Sequence, residues 1–344
     1  MGNKELLTSS YDFELPNELI ATHPASPRDS AKLLVYDRKT DTLTHTTFRH
    51  LKEFLPKECA IIFNDTKVIK ARLYGKKQSG GKIELLINRP LDATNISVYI
   101  KGRVKVGTKL FFDKNLYAQV EELCNDGSRV VNFYKNMQDN ILRFEDILPI
   151  IQEIGHVPLP PYIQRDDNKE DESEYQSVFA NKEGAVAAPT ASLHFTPKQH
   201  EDICRDFKHG FVTLHVGSGT FKPVEVEIIT QHPMHSEYYE ITPDTKKLLD
   251  SDIPILAVGT TSTRTIEYYI RNKEKTSGEA NLFLYPQNKP KRVNHLLTNF
   301  HLPKSTLLML VASFVGLQKT KYLYTQAIKH NYRFYSYGDA MLIL

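Results

Sequence analysis

Between residues 67 and 135 the chain breaks into short β-favouring runs closed by turn residues, and this block constrains the fold more than any other feature. The runs are Val68-Ile69, Ile83 to Ile87, Ile96 to Ile100, Lys109 to Phe112, Tyr117 to Val120 and Arg129 to Tyr134. Gly80-Gly81, Asp92, Gly107, Asp113 and Asp126-Gly127 separate them. Strands this short bury an apolar face by closing on themselves, so a small six-stranded antiparallel β-barrel is expected.

The flanking sequence follows another pattern. Residues 32 to 46 read as a hairpin, and Phe48, Leu51, Phe54 and Leu55 mark one face of a helix. Beyond residue 150 come α/β units: a helix from Pro197 to His209 capped by Thr196, and three strands that open into polar loops. The acidic run Asp166 to Glu174 is expected to be a solvated loop. At 344 residues the chain exceeds the usual single core. The expected architecture is an α/β main domain, catalytic and discontinuous (1–66 and 151–344), with the barrel domain inserted as residues 67–150.

Charge follows the same division. Residues 67–150 hold 15 Lys and Arg against 9 Asp and Glu, +6, whereas the rest holds 29 against 32, −3. A basic insert on an acidic body fits a polyanionic partner better than the net +3 suggests. Three cysteines, Cys59, Cys124 and Cys204, are far apart and form no CxxC, so neither a disulfide framework nor a metal site is supported. The start lacks a signal-peptide core, and the longest apolar stretch, about Thr306 to Leu317, is too short to span a bilayer. A cytoplasmic protein without membrane contact, metal-free and monomeric, is expected.

Residues 184–195, Gly-Ala-Val-Ala-Ala-Pro-Thr-Ala-Ser-Leu-His-Phe, suit neither helix nor strand. Their small side chains let backbone approach a ligand, with Thr190, Ser192 and His194 as polar groups; a buried turn is the bland alternative. The three strand-end loops begin at Gly217, Gly259 and His301, where α/β sheets gather ligands. Gly259 to Thr263 reads as a loop before a helix that starts near Arg264, so its amides and hydroxyls suit a carboxylate or phosphate, with simple N-capping as an equal competitor. Gly217-Ser218-Gly219 lacks the third glycine of a dinucleotide fingerprint, and Gly80-Gly81-Lys82 lacks the hydroxyl of a P-loop. Histidines 156, 194, 215, 235, 295 and 301 stand beside these loops as acid–base candidates, although a structural hydrogen bond is the commoner role for any one.

Longer segments carry a resemblance. Tyr11-Asp12-Phe13-Glu14-Leu15-Pro16, Phe63-Asn64-Asp65-Thr66-Lys67, Gly155-His156-Val157-Pro158-Leu159-Pro160-Pro161-Tyr162, Tyr175-Gln176-Ser177-Val178-Phe179, Thr213-Leu214-His215-Val216-Gly217, Met234-His235-Ser236-Glu237-Tyr238 and Thr298-Asn299-Phe300-His301-Leu302-Pro303 occur in order. With them the whole chain resembles the S-adenosylmethionine:tRNA ribosyltransferase-isomerase family of queuosine biosynthesis. Ala31-Lys32-Leu33-Leu34 departs from the usual Ser-Arg-Leu-Leu, and Lys is the poorer anion clamp. Ser218 stands where Ala is common.

The resemblance implies S-adenosylmethionine as co-substrate and tRNA carrying 7-aminomethyl-7-deazaguanine as partner. It implies transfer of the ribosyl moiety to that wobble base, giving epoxyqueuosine and releasing adenine and methionine. Catalytic roles are then expected for His194, His215 and His301. Cofactor contacts are expected at Thr190, Gly217, Gly219, Thr220, Gly259, Thr260 and Thr261, and phosphate contacts at Lys67, Lys70, Arg72, Lys101 and Arg103. Two other readings stand beside this one. A non-catalytic RNA-binding module needs only the basic barrel, and a phosphate-metabolite α/β enzyme would use the Gly259 loop.

Overall fold

The structure, a computed structural model, describes residues 4–136, 140–221, 223–273 and 275–344. A hairpin, β1 (Lys32–Asp37) and β2 (Thr42–Thr47), stands where the alternation placed it. The expected helix is shorter, a 3-10 turn running into α1 (Leu51–Phe54), but it buries Phe48, Leu51 and Leu55 as its apolar face requires. β3 (Ala60–Asn64) follows, buried at every residue, and then the short β4 (Thr66–Val68).

The insert is a closed barrel of β5 (Arg72–Lys77), β6 (Lys82–Pro90), β7 (Ile96–Lys101), β8 (Lys109–Phe111), β9 (Leu116–Leu123) and β10 (Arg129–Lys135), in the order β10-β7-β6-β5-β8-β9. All its pairings are antiparallel. Ile83, Leu85 and Ile87 point inward at alternate positions of β6 and meet Val98, Leu110, Val120 and Phe133.

One strand differs from expectation. Val68-Ile69 lies outside the barrel, and the sixth barrel strand is β5, whose Arg72, Lys76, Lys77 and Gly75 hide the apolar alternation. Gly75 is there because β8 crosses closely. A Cβ at this position would stand 2.6 Å from the Phe111 carbonyl oxygen and 2.7 Å from the Phe112 ring. Helix α2 (Phe144–Ile154) crosses residue 150, and its Ile147 and Ile151 complete the barrel core.

The chain then returns to the body. The acidic run is only partly solvated. In α3 (Asp171–Glu174), Asp171 is fully buried and accepts from both Arg165 guanidinium nitrogens, at 2.6 and 2.7 Å, and from the Tyr337 hydroxyl at 3.1 Å. β11 (Lys182–Ala185) pairs in parallel with β4, tying the insert's entry to the start of the small-residue run. α4 (Pro197–Asp206) has the Thr196–Gln199 capping box and ends before His209 because β12 (Lys208–Leu214) begins.

The remaining elements are β13 (Glu237–Ile241), α5 (Pro243–Leu249), β14 (Ile255–Val258), α6 (Gly259–Arg271), β15 (Ser277–Ala280), β16 (Val293–Asn299), α7 (Thr306–Val315), α8 (Leu317–Lys329) and β17 (Ala340–Ile343). Nine strands form one mixed sheet, β15-β13-β12-β3-β14-β16-β17-β1-β2. Its centre, β12, β3, β14 and β16, is parallel. Both faces are covered, since Leu34 and Tyr36 pack under α7 and α8 while Leu33 and Val35 enter the opposite core. Among the described residues no helix is long and apolar enough to cross a membrane.

Candidate active site

The four parallel strands end together, so Asn64, Leu214, Val258 and Asn299 bring their following loops to one edge of the sheet. A partly open pocket of about 70 Å³ lies there, lined by Ala187 to Ala191, Val216, Thr220, Gly259 to Thr261, Thr298 and His301. The sequence-derived Thr190, Thr220, Gly259, Thr260, Thr261 and His301 are therefore brought together. Gly217, Gly219 and His215 face instead a cleft of about 1460 Å³ between the body and the barrel. One segment, 216–220, is wall to both, because Val216 and Thr220 line the pocket while Gly217 and Gly219 line the cleft.

The residues after Val258 are the first turn of α6 rather than a loop before it. Gly259, at φ +91°, makes the sharp entry from strand to helix that a side chain would strain. Capping does not compete for the helix start. Val258 occupies the N-cap and gives no side-chain cap, while Ser262 and Thr263 donate back to the carbonyls of Val258 and Gly259 at 2.8 and 3.0 Å. The first-turn amides, lacking a side-chain acceptor, are left at the pocket wall, where the helix dipole favours negative charge.

Asn64 holds this edge in register. Buried at the end of β3, it donates from Nδ2 to the Leu214 carbonyl and the Thr261 hydroxyl, both at 3.1 Å, and accepts the Leu214 and Thr66 amides at 3.0 and 3.2 Å. A second buried device sets the 216–220 wall. Arg264 Nη1 lies 2.5 Å from Glu237 Oε2, and Glu237 Oε1 accepts the Gly217 amide at 3.0 Å. Burial alone would raise the Glu237 carboxyl, but Arg264, with His235 and the Gly217 amide, holds it at about 2. In the sequence Glu237 and Asn64 stand out only within the segments that carry the resemblance, and Arg264 does not stand out; the signals available were Asn64-Asp65-Thr66 after an apolar strand and Arg264 directly after the small and hydroxyl run Gly259 to Thr263.

The three favoured histidines occupy different surroundings. His301 lines the pocket, with Nε2 2.8 Å from the Thr298 hydroxyl, and burial pushes it down to about 3. His215 faces the cleft, with Nδ1 2.8 Å from the Thr66 hydroxyl and its ring stacked against Tyr238 at 5.9 Å; burial pushes it down to about 4. His194 lines neither opening. Asn299 gives its Nδ2 to the Tyr335 and Ser336 carbonyls, so its Oδ1 accepts from His194 Nε2 at 2.9 Å, and Phe48 covers the ring. Burial pushes this imidazole down as well, to about 4. Desolvation thus favours the neutral form in all three rings, below the ordinary range of an acid–base histidine. Of the lesser candidates, His235 lies 3.4 Å from Glu237 and His156 pairs with Asp167 at 2.9 Å, while His295 is half-buried and lines neither opening.

The basic residues also separate. Lys67 pairs with Glu183 and Lys70 with Glu172, both at 2.8 Å, and Arg72 with Glu84 at 3.2 Å. Lys101 and Arg103 are exposed, Lys101 only grazing Glu84 at 4.0 Å. Among the described residues no group of three His, Cys, Asp or Glu side chains is placed to hold a metal.

Known proteins match this chain over nearly its whole length. Residues 8–343 match the family described as queuosine biosynthesis protein. The S-adenosylmethionine:tRNA ribosyltransferase-isomerase of Sulfurimonas denitrificans is 71% identical over the full length of both chains. That of Nitratiruptor is 62% identical over 98% of this chain and 99% of its own. The crystal structure of an S-adenosylmethionine tRNA ribosyltransferase from Thermotoga maritima aligns over 97% of this chain and 100% of its own, at 33% identity and a TM-score of 0.53. This chain therefore belongs to the queuosine biosynthesis family of S-adenosylmethionine:tRNA ribosyltransferase-isomerases.

Proposed function

We propose that the chain transfers and isomerises the ribosyl moiety of S-adenosylmethionine onto the 7-aminomethyl-7-deazaguanine of a tRNA wobble position, releasing adenine and methionine and leaving epoxyqueuosine. The observation that carries this reading is one edge of the sheet where a small anion-favouring pocket and a cleft with ample room for a nucleotide share the 216–220 wall. At about 70 Å³ the pocket takes only part of a molecule as large as S-adenosylmethionine, so the substrate has to extend toward the cleft. The uncapped start of α6 suits its carboxylate, and Ala187, Ala188 and Ala191 leave room for the chain behind it. The wobble base would enter by the cleft, where Tyr238, partly exposed and backed by the His215 ring, offers a stacking face.

The reaction needs a base for the acidified 5′ carbon beside the sulfonium and a proton donor for departing adenine. Neutral His301 and His215, one at each opening, can accept a proton without first losing one. His194 serves as a positioning residue for Asn299 and the chain at Tyr335-Ser336. In the same proposal the body comprises residues 1–66 and 151–344, and the insert, residues 67–150, contacts RNA; α2 packs on the barrel core and runs four residues past that boundary.

The test is mass spectrometry of nucleosides from tRNA carrying 7-aminomethyl-7-deazaguanine after incubation with the protein and S-adenosylmethionine. Epoxyqueuosine is expected, with adenine and methionine in equal amounts. Unaltered tRNA with intact S-adenosylmethionine would leave only a binding module, and a methylated base would mean a different transfer.

A further inference from the structure

Ten of the insert's 15 Lys and Arg side chains form two contrasting sets. Lys67, Lys70, Arg72, Arg89 and Lys114 are each within 3.2 Å of a carboxylate. Lys77, Arg103, Lys105, Lys109 and Arg129 have no ion-pair partner among the described residues. These five line one groove of about 680 Å³ on the barrel wall, between the β5–β6 turn and the connection from β7 to β8, and no Asp or Glu lines it. Lys77 donates to the Arg103 carbonyl at 3.1 Å, Arg129 donates to the Gly127 and Ser128 carbonyls at 2.9 and 2.7 Å, and Lys109 lies over the Tyr117 ring at 5.4 Å, so three of the five are held in place.

A solvated lysine face is the ordinary meaning of surface charge, but the groove's position counts against it. Arg129 sits between Ser128 and Val130, and both of those line the cleft. The groove therefore runs up to the cleft's rim.

We propose that this groove binds the phosphodiester backbone of a folded RNA and leads it to the cleft, with Arg103, Lys105, Lys109 and Arg129 at phosphates and Lys67, Lys70 and Arg72 left to hold the protein together. The proposal rests on the tRNA reading above and places the RNA on one wall of the barrel. Its occupant is a polyanion of regular spacing, because a row of unpaired cations exchanges condensed counterions for phosphates at every step.

The full-length protein and two variants decide it: Arg103→Gln/Lys105→Gln/Lys109→Gln, and Lys114→Gln as a cation of the same insert outside the groove. Binding of tRNA carrying 7-aminomethyl-7-deazaguanine is followed by fluorescence anisotropy across a salt series, with circular dichroism to confirm the fold. The triple variant should weaken binding by at least about tenfold and flatten the log–log salt slope by about 2 to 3, while Lys114→Gln keeps both parental values. A triple variant with the parental affinity and slope overturns the groove, and so does an equal loss in Lys114→Gln, which would reflect bulk charge. A parent protein that binds tRNA with the groove-dependent slope yet forms no product would sink the activity reading and leave the groove standing.

Discussion

The side-chain amide of Asn64 donates to the hydroxyl of Thr261 at 3.1 Å, joining the strand that precedes the insert to the helix that opens on the pocket. The same side chain ties β12 and the turn into β4, so one buried residue sets the relative height of three site-forming segments. Asn64→Ala should leave the Leu214 amide and carbonyl and the Thr66 amide without partners, at a cost of about 2–3 kcal/mol in urea denaturation. A loss below about 0.5 kcal/mol would mean that water replaces the network.

Arg264 and Glu237 are buried to 4% and 2% exposure. Removing one partner, as in Arg264→Met or Glu237→Gln, should cost about 3–5 kcal/mol, because the other is stranded in low dielectric. The double substitution should cost clearly less than the sum of the singles, a coupling read from a double-mutant cycle. Additive losses would show that the pair does not act as a unit. Loosening the Gly217 amide should also raise KM for S-adenosylmethionine more than it lowers kcat.

The neutral histidines make acid the weak direction. A histidine with a folded pKa below its unfolded value of about 6.5 binds fewer protons folded than unfolded, so its stability contribution is complete above that pH. It is lost as pH falls toward the folded values, about 4 for His194 and about 3 for His301. Thermal denaturation should therefore show a loss of a few kcal/mol between about pH 6.5 and 4, before most carboxylates titrate. Replacing His194 with Gln should flatten that slope. An unchanged slope would show that this ring is not the buried neutral group described.

Gly184 tests His215 by direct contact. Its φ of +147° and a hypothetical Cβ only 2.9 Å from the His215 ring mean that Gly184→Ala must displace the imidazole. The single-turnover rate should drop by about tenfold or more if His215 handles a proton, against a stability loss of about 1–2 kcal/mol. Parental turnover in the folded variant would make His215 a structural hydrogen-bonder.

Much of this was legible in the sequence because local pattern and burial agree. β6, β9 and β10 alternate or bury as single strands do, and Thr196-Pro197 marks a helix start by chemistry alone. β5 was missed because strand crossing, rather than propensity, demands Gly75. Gly259 to Thr263 read as a loop because hydroxyl residues look like caps, whereas the folded helix lets Ser262 and Thr263 bond back to carbonyls four residues earlier. The division of basic residues into paired and unpaired depended on distant carboxylates such as Glu183 and Glu172, whose proximity no local pattern encodes.

The central claim, that the start of α6 holds the carboxylate end of S-adenosylmethionine, is tested most directly by calorimetric titration of the ligand into Thr260→Asp and the parent. Thr260 lines the pocket in the first turn of a helix without a side-chain cap, so an aspartate there suits the helix while repelling a bound carboxylate. The account predicts an affinity at least about tenfold weaker, with the melting temperature unchanged or raised. Parental affinity in the folded variant would contradict it and move the cofactor elsewhere.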